Sequence, residues 1–130
     1  MSLTVTALYA SLLALIFLYL SFRVIGLRRS LKVGLGDGGE DLLVKATRIH
    51  ANFSEYIPLA LILLACYEVS SAGSLWVHVF GATLVVGRIL HAIGLTKSVG
   101  ISSPRIVGMS LTFLVLFILA ILNIGAFVTL

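Results

Sequence analysis

Four long segments that carry almost no charge constrain this chain more than any other feature of its sequence. They span residues 3–22, 49–67, 73–87 and 106–128, and the first, third and fourth contain no Asp, Glu, Lys or Arg. A helix that crosses a bilayer needs about 20 mostly apolar residues, and only helices and closed barrels satisfy their backbone groups in lipid. The sequence therefore predicts an all-α integral membrane protein, folded as a four-helix bundle.

The composition of the chain argues against a water-soluble fold. Of its 130 residues, 60% are hydrophobic and only 11% are charged, whereas a soluble domain has about 25% charged residues. The formal net charge of +4 does not indicate binding to nucleic acid, because the basic residues flank the apolar segments. We therefore expect the lipid bilayer to be the main partner of this surface.

Helix and loop signals along the chain predict a single domain, residues 1–130, with helices at about 3–26, 42–68, 75–95 and 105–128. The first connection contains a segment, 34–41, with four glycines and three acidic residues, which a buried span could not accommodate. Asp41 is the predicted N-cap of the second helix.

The basic residues predict how the chain is oriented in the membrane. All nine Lys and Arg residues lie in or beside the first and third connections, which share one side of the membrane in a protein with four spans. The positive-inside rule places that side in the cytoplasm. Both termini are then expected on the opposite side.

The second predicted helix carries polar residues within its apolar span, where such residues are costly and usually functional. At about 100° per residue, Arg48, Asn52 and Glu55 fall within about 60° of one another. Glu55 lies about 10 Å deeper along the helix axis than Arg48. His50 points about 200° away from Arg48, so it belongs to a different face.

Further polar residues belong to the same half of the membrane. Arg88 and His91 share a face near the basic end of the third helix, and Arg105 opens the fourth helix directly after Pro104. Arginine binds carboxylates through two parallel hydrogen bonds, so this cluster predicts a pocket for a small anionic molecule. Three scattered histidines and one cysteine lack the spacing of metal ligands, and we expect no metal site.

The residues leave two other interpretations open. Small proton-coupled multidrug transporters also use four short helices and one intramembrane acid, and Glu55 would then carry the proton. The polar residues could instead form a structural network in a non-catalytic membrane protein. Arg28 and Arg29 could likewise be simple topology signals that contact lipid phosphates.

The pattern Arg-x-x-x-Asn-x-x-Glu-x-x-Pro, formed by Arg48, Asn52, Glu55 and Pro58, resembles the signature of the MAPEG family, the membrane-associated proteins of eicosanoid and glutathione metabolism. Segment 24–29 resembles the end of the first helix in that family. The likeness covers almost the whole chain. It implies a homotrimer with the chemistry of microsomal glutathione transferases: a detoxifying, glutathione-dependent transferase or peroxidase that acts on lipophilic electrophiles or hydroperoxides.

The resemblance also implies a glutathione site between neighbouring subunits, on the cytoplasmic side of a bacterial inner membrane or an endoplasmic-reticulum-type membrane. Arg105 resembles the fourth-helix arginine that activates the thiol, since a nearby cation lowers the pKa of a thiol and favours the nucleophilic thiolate. The second substrate, a lipophilic small molecule, would arrive from the bilayer. Carried over by position, the residues that would hold glutathione are Arg28, Arg29, Arg48, His50, Asn52, Glu55, Tyr56, Arg88 and His91.

Overall fold

The computed structural model describes residues 2–71, 73–98 and 100–129, and within these ranges the chain forms α-helices and no strand. Each helix is long and apolar enough to cross a bilayer. Many large apolar side chains are exposed, among them Leu15 at 65% and Phe117 at 67%, which suits faces that contact lipid. The predicted all-α fold is confirmed, with four helices: α1 (Thr4–Leu31), α2 (Asp41–Ser70), α3 (Leu75–Lys97) and α4 (Ser103–Val128).

The first helix continues beyond the predicted end near Gly26. It stops at Leu31, where Lys32 adopts a left-handed backbone with φ of 57° and donates its N–H to the carbonyl of Arg28. A glycine inside a helix costs only about 1 kcal/mol. Leaving backbone groups unpaired in lipid costs several kcal/mol for each group, so one glycine does not end a membrane helix.

The starts of α2 and α4 also differ slightly from the sequence-based expectation. Glu40 is the N-cap residue of α2, and Asp41, the predicted cap, is the first helical residue. α4 begins at Ser103, two residues before Arg105, with Pro104 in its first turn. Proline is tolerated there because the first N–H groups of a helix have no intrahelical partner.

The two middle helices form the centre of the bundle. α2 and α3 contact each other and both outer helices, whereas α1 and α4 do not meet within the described ranges. The contact between α3 and α4 is the most extensive. The buried core includes Leu13, Ile57, Leu64, Leu84 and Leu119, so every helix contributes to it.

Glycines let α3 and α4 approach closely at two levels. A side-chain carbon on Gly108 would overlap the carbonyl oxygen of Gly87 and the backbone nitrogen of His91. Gly94 faces the backbone nitrogen of Arg105 with equally little room. Small residues at such positions allow membrane helices to pack backbone against backbone. The α3 residues of the polar cluster are thereby held against the start of α4.

Glu68 near the end of α2 caps the start of α1. Its carboxylate accepts hydrogen bonds from the backbone N–H groups of Val5, at 2.9 Å, and Thr6, at 2.7 Å. The N-cap position of α1, Leu3, supplies no side-chain hydrogen bond of its own. The sequence assigned no role to Glu68, because this contact joins residues more than 60 positions apart.

We expect Glu68→Ala to lower the free energy of unfolding by about 0.5–2 kcal/mol, the usual cost of losing an N-cap. Glu68→Gln should lose less, since its one amide oxygen can still accept one of the two hydrogen bonds, while the second bond and the favourable contact between the negative charge and the helix dipole are lost. Unfolding in detergent measures both losses. Glu40→Ala is the matched control, because the Glu40 side chain is exposed and makes no cap bond. Equal losses in Glu68→Ala and Glu40→Ala would contradict the capping role.

Candidate functional site

A small polar cavity lies between α2, α3 and α4, at the end of the bundle where the basic residues cluster. Its volume is about 90 Å³. α2 supplies four lining residues at helical spacing, which places them on one face. We call it the polar cavity; it is lined by Val44, Lys45, Arg48, Asn52, His91, Leu95 and Arg105.

Arg48 and Glu55 form an ion pair along the outer side of α2. The guanidinium nitrogen of Arg48 lies 3.9 Å from the carboxylate of Glu55, and the two side chains are 57% and 50% exposed. Arg48 also lines the polar cavity, so the pair extends from the cavity to the surface of the chain. A charged pair at the surface of an apolar span needs a polar partner or water.

Arg88 lies behind the polar cavity and is almost completely buried, at 2% exposure. Its Nη2 donates to Oδ1 of Asn52 at 2.6 Å and lies 3.3 Å from Nδ1 of His91. Its Nη1 contacts the sulfur of Met109 at 3.5 Å, and its guanidinium carbon lies 5.8 Å from the ring centre of Phe53. Arg88 therefore touches two residues of the cavity wall without lining the cavity itself.

Arg105 connects the polar cavity with a second, mostly apolar cavity. It is the third residue of α4, and its Nη1 donates to the carbonyl of Gly100 at 3.2 Å. The second cavity has a volume of about 350 Å³ and lies along the outer face of α4. Arg105 is shared by the two walls. We call this space the apolar cavity; it is lined by Ile101, Arg105, Ile106, Met109, Ser110 and Phe113.

Three of the predicted binding residues lie away from the polar cavity. His50 lies on another face of α2. Its Nε2 is 2.9 Å from the Ser21 hydroxyl, and its ring stacks on the ring of Phe17. Arg28 donates to the carbonyl groups of Val33 and Gly36, at 3.2 and 2.9 Å, and so braces the first connection. Arg29 is exposed in the last turn of α1.

Tyr56 lines neither the polar nor the apolar cavity. Its ring meets the ring of Phe113 edge-on, with centroids 5.4 Å apart, and Phe113 belongs to the apolar cavity. The structure thus gathers Arg48, Asn52, Arg88, His91 and Arg105 around one cavity. Glu55 is paired with Arg48, and Tyr56 packs against the apolar cavity.

Several residues of this region were not among the predicted site residues. Lys45 lines the polar cavity, and its position three residues before Arg48 was a usable signal for it. Leu95 completes the wall one turn after His91. Met109 has no such signal in the sequence, because its contact with Arg88 depends on how α3 and α4 pack.

The fold and the site define a small helical membrane protein with a basic cavity between its helices. Comparison with known proteins agrees with this class. The chain matches the model of the MAPEG family over residues 6–125. It is 39% identical over 120 residues to the inner membrane protein YecN of Escherichia coli strain K12, an alignment that covers 92% of this chain and 90% of YecN.

YecN of Escherichia coli O6:H1 is similar to the same extent. The chain belongs to the MAPEG family and is an integral, multi-pass membrane protein. The resemblance inferred from its motifs is confirmed. The family includes glutathione transferases and related enzymes, whereas the name of YecN states a location and no activity.

Proposed function

We propose that this protein is a glutathione-dependent transferase or peroxidase acting on lipophilic electrophiles or hydroperoxides. The observation that carries the proposal is the position of Arg105, which lines both the polar and the apolar cavity. A peptide thiol held in the polar cavity and an apolar substrate in the other would meet at one guanidinium group. Membership of the MAPEG family supports the same chemistry.

The polar groups around the first cavity suit the charges of glutathione, which has two carboxylates, an ammonium group and a thiol. Lys45 and Arg48 would bind carboxylate, and Arg48 can do so through two parallel hydrogen bonds. Glu55, beside Arg48, would accept from the ammonium group. Arg105 would stabilise the thiolate, with help from the positive end of the α4 dipole.

The reaction requires an ionised thiol and an apolar acceptor in contact with it. In transfer, the thiol releases its proton to water, the sulfur attacks the electrophilic carbon, and the leaving group departs with the bonding electrons. In peroxide reduction, two glutathione molecules are oxidised to the disulfide while the hydroperoxide is reduced to an alcohol and water. The apolar cavity opens along the outer face of α4, from which a substrate dissolved in lipid can enter.

We further propose that a homotrimer completes the site, on the cytoplasmic side of the membrane. The polar cavity is small, about 90 Å³, and this chain does not enclose it completely, so a second copy could complete its wall. The half-exposed Arg48–Glu55 pair extends the polar surface outward, where a second copy could cover it. The face that carries His50 would then be available to a neighbouring site. The mass of the detergent-solubilised assembly, measured by light scattering, tests the trimer.

Titration calorimetry with glutathione in detergent tests the proposed function. We expect saturable binding together with ultraviolet absorbance from the thiolate near neutral pH. S-methylglutathione, which has no ionisable thiol, should bind without that absorbance. If glutathione shows neither binding nor thiolate, the enzymatic proposal fails, and proton-driven efflux from vesicles, lost in Glu55→Gln, would then favour a transporter.

A further inference from the structure

The buried Arg88 contacts two side chains that line the polar cavity, Asn52 and His91. We infer that Arg88 is a positioning residue that turns the Asn52 amide and selects the His91 tautomer, so that both side chains present N–H donors to the cavity. This inference rests on the proposed function only for the ligand it names. The tautomer of His91 can be measured without any ligand.

The amide of Asn52 has only one orientation that satisfies Arg88. A guanidinium has five donors and no acceptor, so the Asn52 atom 2.6 Å from Nη2 must be the carbonyl oxygen. A flipped amide would set N–H against N–H. Because Asn52 also lines the cavity, its NH₂ group remains to face the bound ligand.

The same argument applies to the ring of His91. Its Nδ1 lies 3.3 Å from Nη2 of Arg88 and must accept, so the ring proton of the neutral imidazole is on Nε2. His91 is 2% exposed and lines the cavity. It therefore offers an Nε2–H donor, while its unprotonated nitrogen, Nδ1, is occupied by Arg88 and not available to take a proton from a ligand.

Contacts on the other side of the Arg88 guanidinium fix its position, so it can determine the Asn52 amide orientation and the His91 tautomer. Its Nη1 contacts the sulfur of Met109, and its guanidinium carbon lies over the ring of Phe53. The close contact between Gly87 and Gly108 presses α4 against this part of α3. Arg88 is thus enclosed from α2 and α4, and its Nη2 is directed at the two cavity residues.

With these orientations, every polar side chain that lines the cavity presents a hydrogen-bond donor. Lys45, Arg48 and Arg105 contribute cationic N–H groups, and Asn52 and His91 contribute neutral ones. Such a site selects a group that only accepts hydrogen bonds, namely a carboxylate or a thiolate. It follows that the thiol proton goes to water and not to His91.

The tautomer is measured directly by ¹⁵N NMR of histidine-labelled protein in detergent. The chain has three histidines, and the double variant His50→Asn, His78→Asn leaves the His91 signal alone. We expect the Nε2–H form in this protein and a mixture of both tautomers after Arg88→Met. If Arg88→Met does not fold, Arg88→Gln should serve, because a glutamine side chain can accept a hydrogen bond as well as donate one and so does not enforce the Nε2–H form. A predominant Nδ1–H form with Arg88 present would overturn the inference.

Asn52→Asp separates positioning from mere structural support. Aspartate keeps the oxygen that faces Arg88 and replaces the donor that faces the cavity with a second oxygen. We expect an unchanged or higher thermal midpoint and a loss of glutathione affinity of about 10- to 100-fold, as for a lost hydrogen bond to a charged group. Unchanged affinity would refute the donor role of Asn52.

The chain contains a matched control for this substitution. Asn123 in α4 donates from Nδ2 to the carbonyl of Leu63 at 2.9 Å, away from the cavity. Asn123→Asp should therefore lower the thermal midpoint and leave glutathione affinity within about threefold, the opposite pattern. If the protein binds no glutathione at all, the proposed function fails, and the tautomer measurement still decides the role of Arg88.

Discussion

Arg105→Ala is expected to lower kcat/KM for glutathione transfer about 100- to 1,000-fold, the range for removing one group that stabilises a developing anion. Arg105 is the residue where the polar and apolar cavities meet, so its loss removes the cation nearest to the proposed sulfur position. Glutathione affinity should fall by no more than about tenfold, because Lys45 and Arg48 still bind carboxylates. The thiolate absorbance at neutral pH should disappear.

The pH dependence of Arg105→Ala provides a second test of whether Arg105 lowers the pKa of the bound thiol. Without a neighbouring cation the pKa of the bound thiol returns toward the ordinary value of about 8.5, so the transfer rate of Arg105→Ala should keep rising as the pH increases above neutrality. Lys97→Ala is the matched control, since it removes one positive charge from an exposed position at the same end of the bundle. Lys97→Ala should keep both the transfer rate and the thiolate absorbance of the unmodified protein. Persistent thiolate absorbance in Arg105→Ala would exclude Arg105 as the activating residue.

Gly108→Ala is expected to destabilise the protein by about 3 kcal/mol, the upper part of the range for overpacking a tight contact. The added carbon would overlap the carbonyl oxygen of Gly87 and the backbone nitrogen of His91, which are rigid main-chain atoms of α3. Relief requires α3 and α4 to separate. That separation would also pull Arg105 away from the polar cavity, so activity should fall even at temperatures where the variant stays folded.

Gly125→Ala, in the same helix, is the control for this prediction. An added carbon at Gly125 has no neighbour within 4 Å, so the substitution should be neutral or stabilising by up to about 1 kcal/mol. Thermal unfolding in detergent compares the two variants under identical conditions. If the two midpoints shift alike, α3 and α4 are not in the close contact described above.

The helices and their polar stripe followed from local sequence alone. In lipid every backbone group must be paired within a helix, so apolar length is enough to place α1 to α4 within a few residues. Helical periodicity then brought Arg48, Asn52 and Glu55 onto neighbouring positions of one helix before any contact was known. The family signature rests on the same local spacing.

The contacts between helices depended on tertiary packing. The sequence grouped Arg88 and His50 with the predicted glutathione-binding residues. In the structure Arg88 lies behind the wall of the polar cavity, and His50 lies on another face of α2. Glu68 proved to cap a helix that begins more than 60 residues earlier. The physical reason is that spacing along a helix sets which residues share a face. The rotation of that face, and the neighbour it meets, are set by close packing at positions such as Gly108.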